Sequence, residues 1–526
     1  MEALVLIVVL GATVIVGTTL GGRYSVAPPV LLITLGALLA LLPPLSHVVL
    51  EPEVVLLLFL PAILYRESLV VSLREIRANL LVIVLLAVVL VVLTMFAVSL
   101  TAQALGVVPA AAWVLGAVLA PTDAAAVAGL AKRMPRRILT TLRAESLIND
   151  GTALVLFAVT VGVISGHASP GALELVGQFV GKATGGIAAG LVTGGVVVLI
   201  RRRLDDPLRE GALSVLTPFV AFLLAETVHA SGVLAVVVAG LLLSYAAPRV
   251  IRAPSRVLAL GFWDLATFLI NGSLFVLLGM QIPRAVRGIT SISAAQALVI
   301  ALVVTGVVVA TRMLWVHLSI GLIEAFDRRP GRPEERVDWR VRTMAGWAGF
   351  RGAVSLAAAL AVPVTTDTGS PAAERDLIIF CTALVIVLTM LLQGTTLPAV
   401  VNWARLVGDP GRDDEVRLAR VAATRAGLAA LPGVAARLGV SQDSVDRLRG
   451  DYEQHLDDVE SAGSEEGDSA RDRELVRRLQ LDLLDHKRRE VTRLRDRNEI
   501  DDAVQREVQA VLDIEEIRLL GPQTPD

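Results

Sequence analysis

Glu145-Ser146-Leu147-Ile148-Asn149-Asp150-Gly151-Thr152-Ala153-Leu154-Val155-Leu156-Phe157 places two acids and an amide within six residues, then runs into strongly apolar sequence. An acid at bilayer depth costs roughly 2.5–3.5 kcal/mol even on the gentlest insertion scale, so one kept there is a functional candidate. On a helix of 3.6 residues per turn, Glu145 and Asn149 share one face, and Ser146 and Asp150 share another. Glu145 and Asp150 therefore point in different directions. That geometry predicts two jobs rather than one site of paired carboxylates.

The surrounding chain supports the membrane reading. Of its 526 residues 54% are hydrophobic, with a mean hydropathy of +0.68. Apolar runs of about 20 residues recur as far as residue 403, the signature of a polytopic, all-α membrane protein. The net charge of -2 hides an asymmetry, because the remainder is dense in Arg, Asp and Glu. A membrane domain over 1–403 and a helical cytoplasmic tail over 404–526 are expected. The single cysteine, Cys381, excludes a disulfide framework or a cysteine-based metal site within one chain. Met-Glu-Ala-Leu at the start lacks a basic n-region and reads as the beginning of a retained first span.

Hydropathy and helix breakers predict thirteen spans. They run near 3–20, 26–43, 52–65, 79–103, 107–131, 138–163, 174–201, 211–229, 232–246, 257–281, 294–323, 342–363 and 376–403. One set of loops carries Arg23, Arg66, Arg74, Arg77, Lys132 to Arg137, Arg201 to Arg203, Arg209, Arg249, Arg252, Arg256 and the basic run from Arg328 to Arg342. The alternate loops carry only Arg284, Arg287 and Arg375. The positive-inside rule then predicts an outside N-terminus and a cytoplasmic tail.

Two spans are interrupted. Ala120-Pro121-Thr122-Asp123 breaks the fifth, since proline lacks a backbone donor and clashes with the preceding turn. Gly349-Phe350-Arg351-Gly352 breaks the twelfth. Freed backbone at membrane depth is tolerated where it is buried in protein or lines a cavity. Breaks seven spans apart fit two inverted six-span repeats joined by the seventh, the usual pointer to a transporter site. The tail carries helical patterns, such as Val504, Val508, Val511 and Leu512, divided by a polar break over Ser461–Ser469. It contains no glycine-rich nucleotide fingerprint.

Ala120–Asp123, Glu145–Asp150 and Gly349-Phe350-Arg351-Gly352-Ala353-Val354-Ser355 resemble, in order, three motifs of the monovalent cation:proton antiporters. The resemblance is to the electroneutral sodium/proton exchanger branch in its bacterial form. It extends to Ile33–Gly36, Phe59–Pro61, Ala225–Gly240 and Phe268–Gly279, and so covers the membrane region. It implies an inverted-repeat fold, a homodimer in the plasma membrane, and alternating access between two bundles. Asn149-Asp150 matches the pattern of the electroneutral branch, where electrogenic relatives carry two aspartates; the resemblance therefore implies one cation exchanged for one proton.

Asp150 is the expected shared site for cation and proton, because a hard cation prefers oxygen ligands and exchange requires one group to hold either. Ser146 and Thr122 are expected oxygen ligands of Na+ beside it, resting on the resemblance, since such hydroxyls otherwise bond their own backbone. Asp123 is either a direct or water-mediated ligand or a counter-charge to a half-helix N-terminus. By resemblance Arg351 pairs with Glu145, with Asn149 beside them, as a structural clamp. Asp264 and Arg312 belong to an access funnel or an internal pair. Asn271 and Gln393 read as helix–helix hydrogen bonds, and Gly185, Gly186, Gly190, Gly194 and Gly195 as close packing.

The expected function is therefore secondary active antiport of Na+ or Li+ for H+, with K+/H+ exchange on the same fold as the alternative. The expectation is a transporter rather than an enzyme, with no cofactor and no nucleic-acid partner. An intramembrane hydrolase would also bury acids, but neither His-Glu-x-x-His nor a serine nucleophile elbow is present. A channel would need a selectivity-filter repeat, which is absent.

Overall fold

The computed structural model describes residues 2–24, 27–43, 45, 55–71, 73–78, 80–123, 136–164, 172–289, 292–326, 338–363, 365, 374–404, 410–461, 468–497, 499 and 502–520. The second half of the fifth span with Lys132 and Arg133, most of the basic run before Asp338, and the centre of the polar break in the tail lie outside these residues. The chain divides into two compact units, Met1–Leu406 and Val407–Asp526.

The elements of the first unit are helical. We number them α1 (Glu2–Tyr24), α2 (Pro28–Leu39), α3 (Leu60–Val70), α4 (Leu90–Ala104), α5 (Pro109–Leu119), α6 (Arg136–Ile164), α7 (Ala172–Arg201) and α8 (Pro207–Thr227). They continue as α9 (Gly232–Val250), α10 (Ala253–Gly288), α11 (Ala294–Phe326), α12 (Trp339–Trp347), α13 (Ala353–Leu360) and α14 (Arg375–Trp403). Among the described residues nine helices are long and apolar enough to cross a membrane, α4 counting together with the helical turns from Leu80 that lead into it. Four expected spans, the second, third, fifth and twelfth, contain shorter described helices instead: α2, α3, α5 and the pair α12–α13.

Local chemistry sets several boundaries. Proline occupies the first turn of α2, α5 and α8, where its missing N–H is no loss. Asp206 caps α8 by accepting from Arg209 N–H at 2.9 Å, and Ser231 caps α9 by accepting from Leu234 N–H at 3.3 Å. Gly106, at φ +93°, makes the left-handed turn between α4 and α5.

Among the described residues three large apolar cores hold the bundle, with a small fourth cluster of Leu86, Leu90 and Val316. The first joins α1, α2, α10 and α14 around Val14, Leu32, Leu274 and Ile386. The second joins α4, α5, α11 and α14 around Val98, Val114, Val304 and Val385. The third packs α3, α8 and α9 around Leu64, Ala221 and Val236. Large apolar side chains also face outward, including Leu4, Ile7, Leu199 and Leu314, as lipid-facing surfaces require.

Glycines bring some of these helices together at backbone distance. A Cβ added at Gly36 of α2 would lie 2.1 Å from Val276 O of α10, and one at Gly279 would lie 2.0 Å from Ile33 O. Gly186 and Gly190 fit α7 against α9 in the same way, and Gly185 and Gly194 also meet α9 or the turn before it. Gly195, grouped with them from the sequence, has open space around it.

The second unit holds α15 (Pro410–Leu438), α16 (Gln442–Ser461), α17 (Asp468–Asp496) and α18 (Asp502–Leu520). They pack as two pairs, α15 with α16 and α17 with α18. Lys487–Glu515 at 2.9 Å and Arg488–Asp513 at 2.6 Å tie the second pair. Leu484 and Leu512 are buried, whereas Val504, Val508 and Val511 are exposed, so only Leu512 of the expected apolar face packs inward.

Candidate functional site

The site is built where the two interrupted spans meet α6. At the end of α5 the backbone leaves the helix at Ala120, and Pro121–Asp123 are non-helical. In the twelfth span α12 ends at Trp347 and α13 begins at Ala353, leaving Ala348–Gly352 between them. The two breaks exchange hydrogen bonds. Asp123 N–H, which a continued α5 would give to Leu119 O, donates instead to Phe350 O at 2.9 Å. Leu119 O is then taken by Arg351 Nε–H at 2.8 Å, while Arg351 Nη1 donates to Gly349 O at 2.8 Å. Arg351 therefore replaces the donors that the breaks remove.

This corrects the expected Arg351–Glu145 pair. Glu145 and Arg312 are 0% and 1% exposed and form the buried ion pair. Arg312 Nη1 and Nη2 reach both carboxylate oxygens, the second at 3.1 Å, and Nη2 also donates to Ala345 O at 3.3 Å. The physical reason is that Arg351 is spent on backbone carbonyls, while α11 delivers an arginine with its fork toward α6. Gly349 makes this possible, since a Cβ there would lie 2.2 Å from Arg312 Cδ.

The Glu145 side of α6 is closed by further bonds. Thr122 Oγ1 donates to Glu145 Oε1 at 3.3 Å and accepts from Asn149 Nδ2 at 2.7 Å. Ser146 Oγ donates to Thr122 O at 2.9 Å. The expected shared face of Glu145 and Asn149 thus converges on one threonine hydroxyl.

Asp150 faces a different environment. It is 4% exposed and lines a cavity with Glu67, Thr122, Asp123, Asn271 and Ser355. The space inside is about 20 Å³, enough for one water-sized guest. Among the described residues Asp150 has no hydrogen-bond or ion-pair partner. Gly352 admits Asp123 to this wall, because an added Cβ would lie 1.7 Å from Asp123 Oδ2. Of the expected ligands, Thr122, Asp123 and Asp150 line the cavity, whereas Ser146 stands one turn before Asp150 and holds the Thr122 carbonyl. A hydroxyl that donates keeps lone pairs for a cation.

Two cavity residues depart from the sequence expectation. Asn271, expected in a helix–helix hydrogen bond, lines the cavity. Glu67 lies beyond the expected end of the third span at residue 65, because α3 runs to Val70. The apolar Leu69-Val70-Val71 that follows is the available signal. Beside it, Arg66 donates from Nε to Asp264 Oδ1 at 2.8 Å, so Asp264 is half of a partly exposed ion pair. Among the described residues no group of three His, Cys, Asp or Glu is placed to hold a metal ion. A cation here would need a mixed set of carboxylate, hydroxyl and carbonyl oxygens.

An all-helical membrane fold with two crossed interruptions beside a carboxylate-lined cavity defines a secondary transporter. Residues 7–403 match the family described as sodium/hydrogen exchanger, transmembrane, and the chain belongs to that family. It is 57% identical to an uncharacterized Na(+)/H(+) exchanger of Mycobacterium tuberculosis, over 99% of this chain and 96% of that protein. It is 33% identical to a sodium, potassium, lithium and rubidium/H(+) antiporter of Bacillus pumilus, over 70% of this chain and 57% of that one. The sodium proton antiporter MjNhaP1 of Methanocaldococcus jannaschii has the same fold, with a TM-score of 0.59 at 22% identity, covering 76% of this chain and 99% of that one.

Proposed function

We propose that this chain exchanges Na+ or Li+ for H+ across the plasma membrane, without net charge movement, at Asp150. The observation that carries the reading is the contrast along α6: Glu145 is held by Arg312 and Thr122, while Asp150 opens on the cavity without a partner among the described residues. A bare carboxylate buried to this degree is costly, so either a proton or a cation must neutralise it. Competition for that one group couples the two flows. The cation is held by Asp150, Ser146 and Thr122, with Asp123 direct or through water. Glu145, Asn149, Arg312 and Arg351 hold the frame.

Asn149 offers no second exchangeable charge, which supports one proton per cation. The chain works as a homodimer by alternating access, with the N-terminus outside and the tail in the cytoplasm. K+/H+ exchange is the second reading. It is favoured by the Bacillus pumilus relative, whose name includes potassium.

Purified full-length protein in proteoliposomes tests this. An imposed Na+ gradient should move protons at a rate unchanged when the membrane potential is clamped, and Asp150→Asn should abolish the signal. Potential-dependent exchange would overturn electroneutrality, and retained exchange in Asp150→Asn would remove the site. Running Na+, Li+ and K+ in parallel ranks the ions.

A further inference from the structure

The crossed interruptions are tied together at the cavity, but the same two helices are also gripped at their far ends. α5 runs from Val108 toward the cavity, and α13 runs from the cavity toward Val362. Between those remote ends stand two consecutive residues, Glu374 and Arg375, at the start of α14. Glu374 Oε2 accepts from Val108 N–H, at the N-cap of α5, at 3.3 Å. Arg375 Nε donates to Val362 O at 2.8 Å, and Nη2 donates to Leu360 O at 3.3 Å, at the C-terminus of α13.

Each charge has the sign that its helix end prefers. A helix N-terminus carries partial positive charge and unpaired N–H groups, which suit a carboxylate. A C-terminus carries partial negative charge and unpaired carbonyls, which suit a guanidinium. Glu374 adopts φ +58°, in the left-handed region that non-glycine residues rarely occupy. That turn lets neighbouring side chains serve two different helices. Meanwhile α14 packs along both α5 and α13.

We propose that Glu374 and Arg375 are positioning residues for transport, a two-residue clamp on the ends of both interrupted spans remote from the cavity. By fixing those ends it sets the register of α5 against α13. It thereby sets where Thr122 and Asp123, at one end of the pair, stand relative to Ser355, just inside the other. The inference rests on the exchange reading above.

The test uses full-length protein in proteoliposomes, with Na+-driven proton movement and the melting temperature measured for each variant. Arg375→Ala should raise the half-saturating Na+ concentration at least about 5-fold, with the maximal rate changed less than about 2-fold. Arg375→Lys keeps a charge and a donor for one carbonyl, and should recover part of the affinity. Glu374→Ala should raise half-saturation about 3-fold, and Glu374→Gln, which keeps an acceptor for Val108 N–H, should recover part of that. An unchanged half-saturation in both alanine variants overturns the clamp. So does a fall in melting temperature with half-saturation unmoved, which marks a plain helix cap. If Arg375→Ala does not assemble, the Glu374 pair decides in the same way. An inactive wild type would defeat the exchange reading itself, whereas an active wild type with indifferent variants defeats only the clamp.

Discussion

Glu145 and Asp150 stand five residues apart on one helix, both buried, yet their surroundings are opposite. Glu145 has a guanidinium across both oxygens and a threonine hydroxyl on one of them. Asp150 has a cavity in front of it and two further carboxylates, Glu67 and Asp123, along the wall. Burial alone does not make an acid exchangeable. A buried acid whose partners are fixed belongs to the frame, and one left to find its partner from solution can carry cargo.

The largest expected effect falls on the open acid. Asp150→Asn should lower vesicle exchange more than 100-fold while yield and gel-filtration profile stay those of the wild type; measurable exchange would mean that another acid on the wall is the site. Next comes the closed acid. Arg312→Ala strands a buried carboxylate, and breaking such a pair costs about 3–5 kcal/mol. Its thermal unfolding temperature should drop sharply, with partial recovery in Arg312→Ala/Glu145→Gln. A double-mutant cycle should give Glu145 a larger coupling to Arg312 than to Arg351. The reverse order would restore the pairing expected from the sequence.

A smaller effect is expected where the two regions share a wall. Gly352→Ala must displace the Asp123 carboxylate, and should weaken apparent Na+ affinity about 10-fold with a loss of about 1–3 kcal/mol in stability. Unchanged cation binding, measured by isothermal titration, would take Asp123 out of the ligand set. The smallest effect belongs to the pair next to Glu67. Asp264 keeps a side chain 42% exposed, so Asp264→Asn should cost only about 0.2–1 kcal/mol in chemical denaturation.

Much of this was legible in the residues. The split of α6 into two faces followed from spacing alone, and Pro121 and the Gly349–Gly352 run marked both interruptions correctly. The partner of Glu145 was not legible. Arg312 and Arg351 are both arginines in apolar sequence, and choosing between them requires knowing which carbonyls the breaks leave bare. Leu119 O becomes available only because Asp123 N–H crosses to Phe350 O, a long-range exchange with no local signal. Glu67 was lost for a simpler reason: a charged pair at the apparent end of a span reads as loop when the helix in fact continues. The roles of Gly349 and Gly352 were half read. They break the helix, as the sequence predicts, and they are also the gaps through which Arg312 and Asp123 reach their places.

The contact between α2 and α10 bears on how such a molecule can move. Gly36 and Gly279 leave backbone against backbone there, with Val276 O and Ile33 O where side chains would otherwise interpose. Helices separated by a layer of side chains can shear by exchanging rotamers, but two bare backbones have no such bearing surface. In kinematic terms α2 and α10 form a single link. The alternating access proposed above would place its hinges elsewhere and carry that pair as one body.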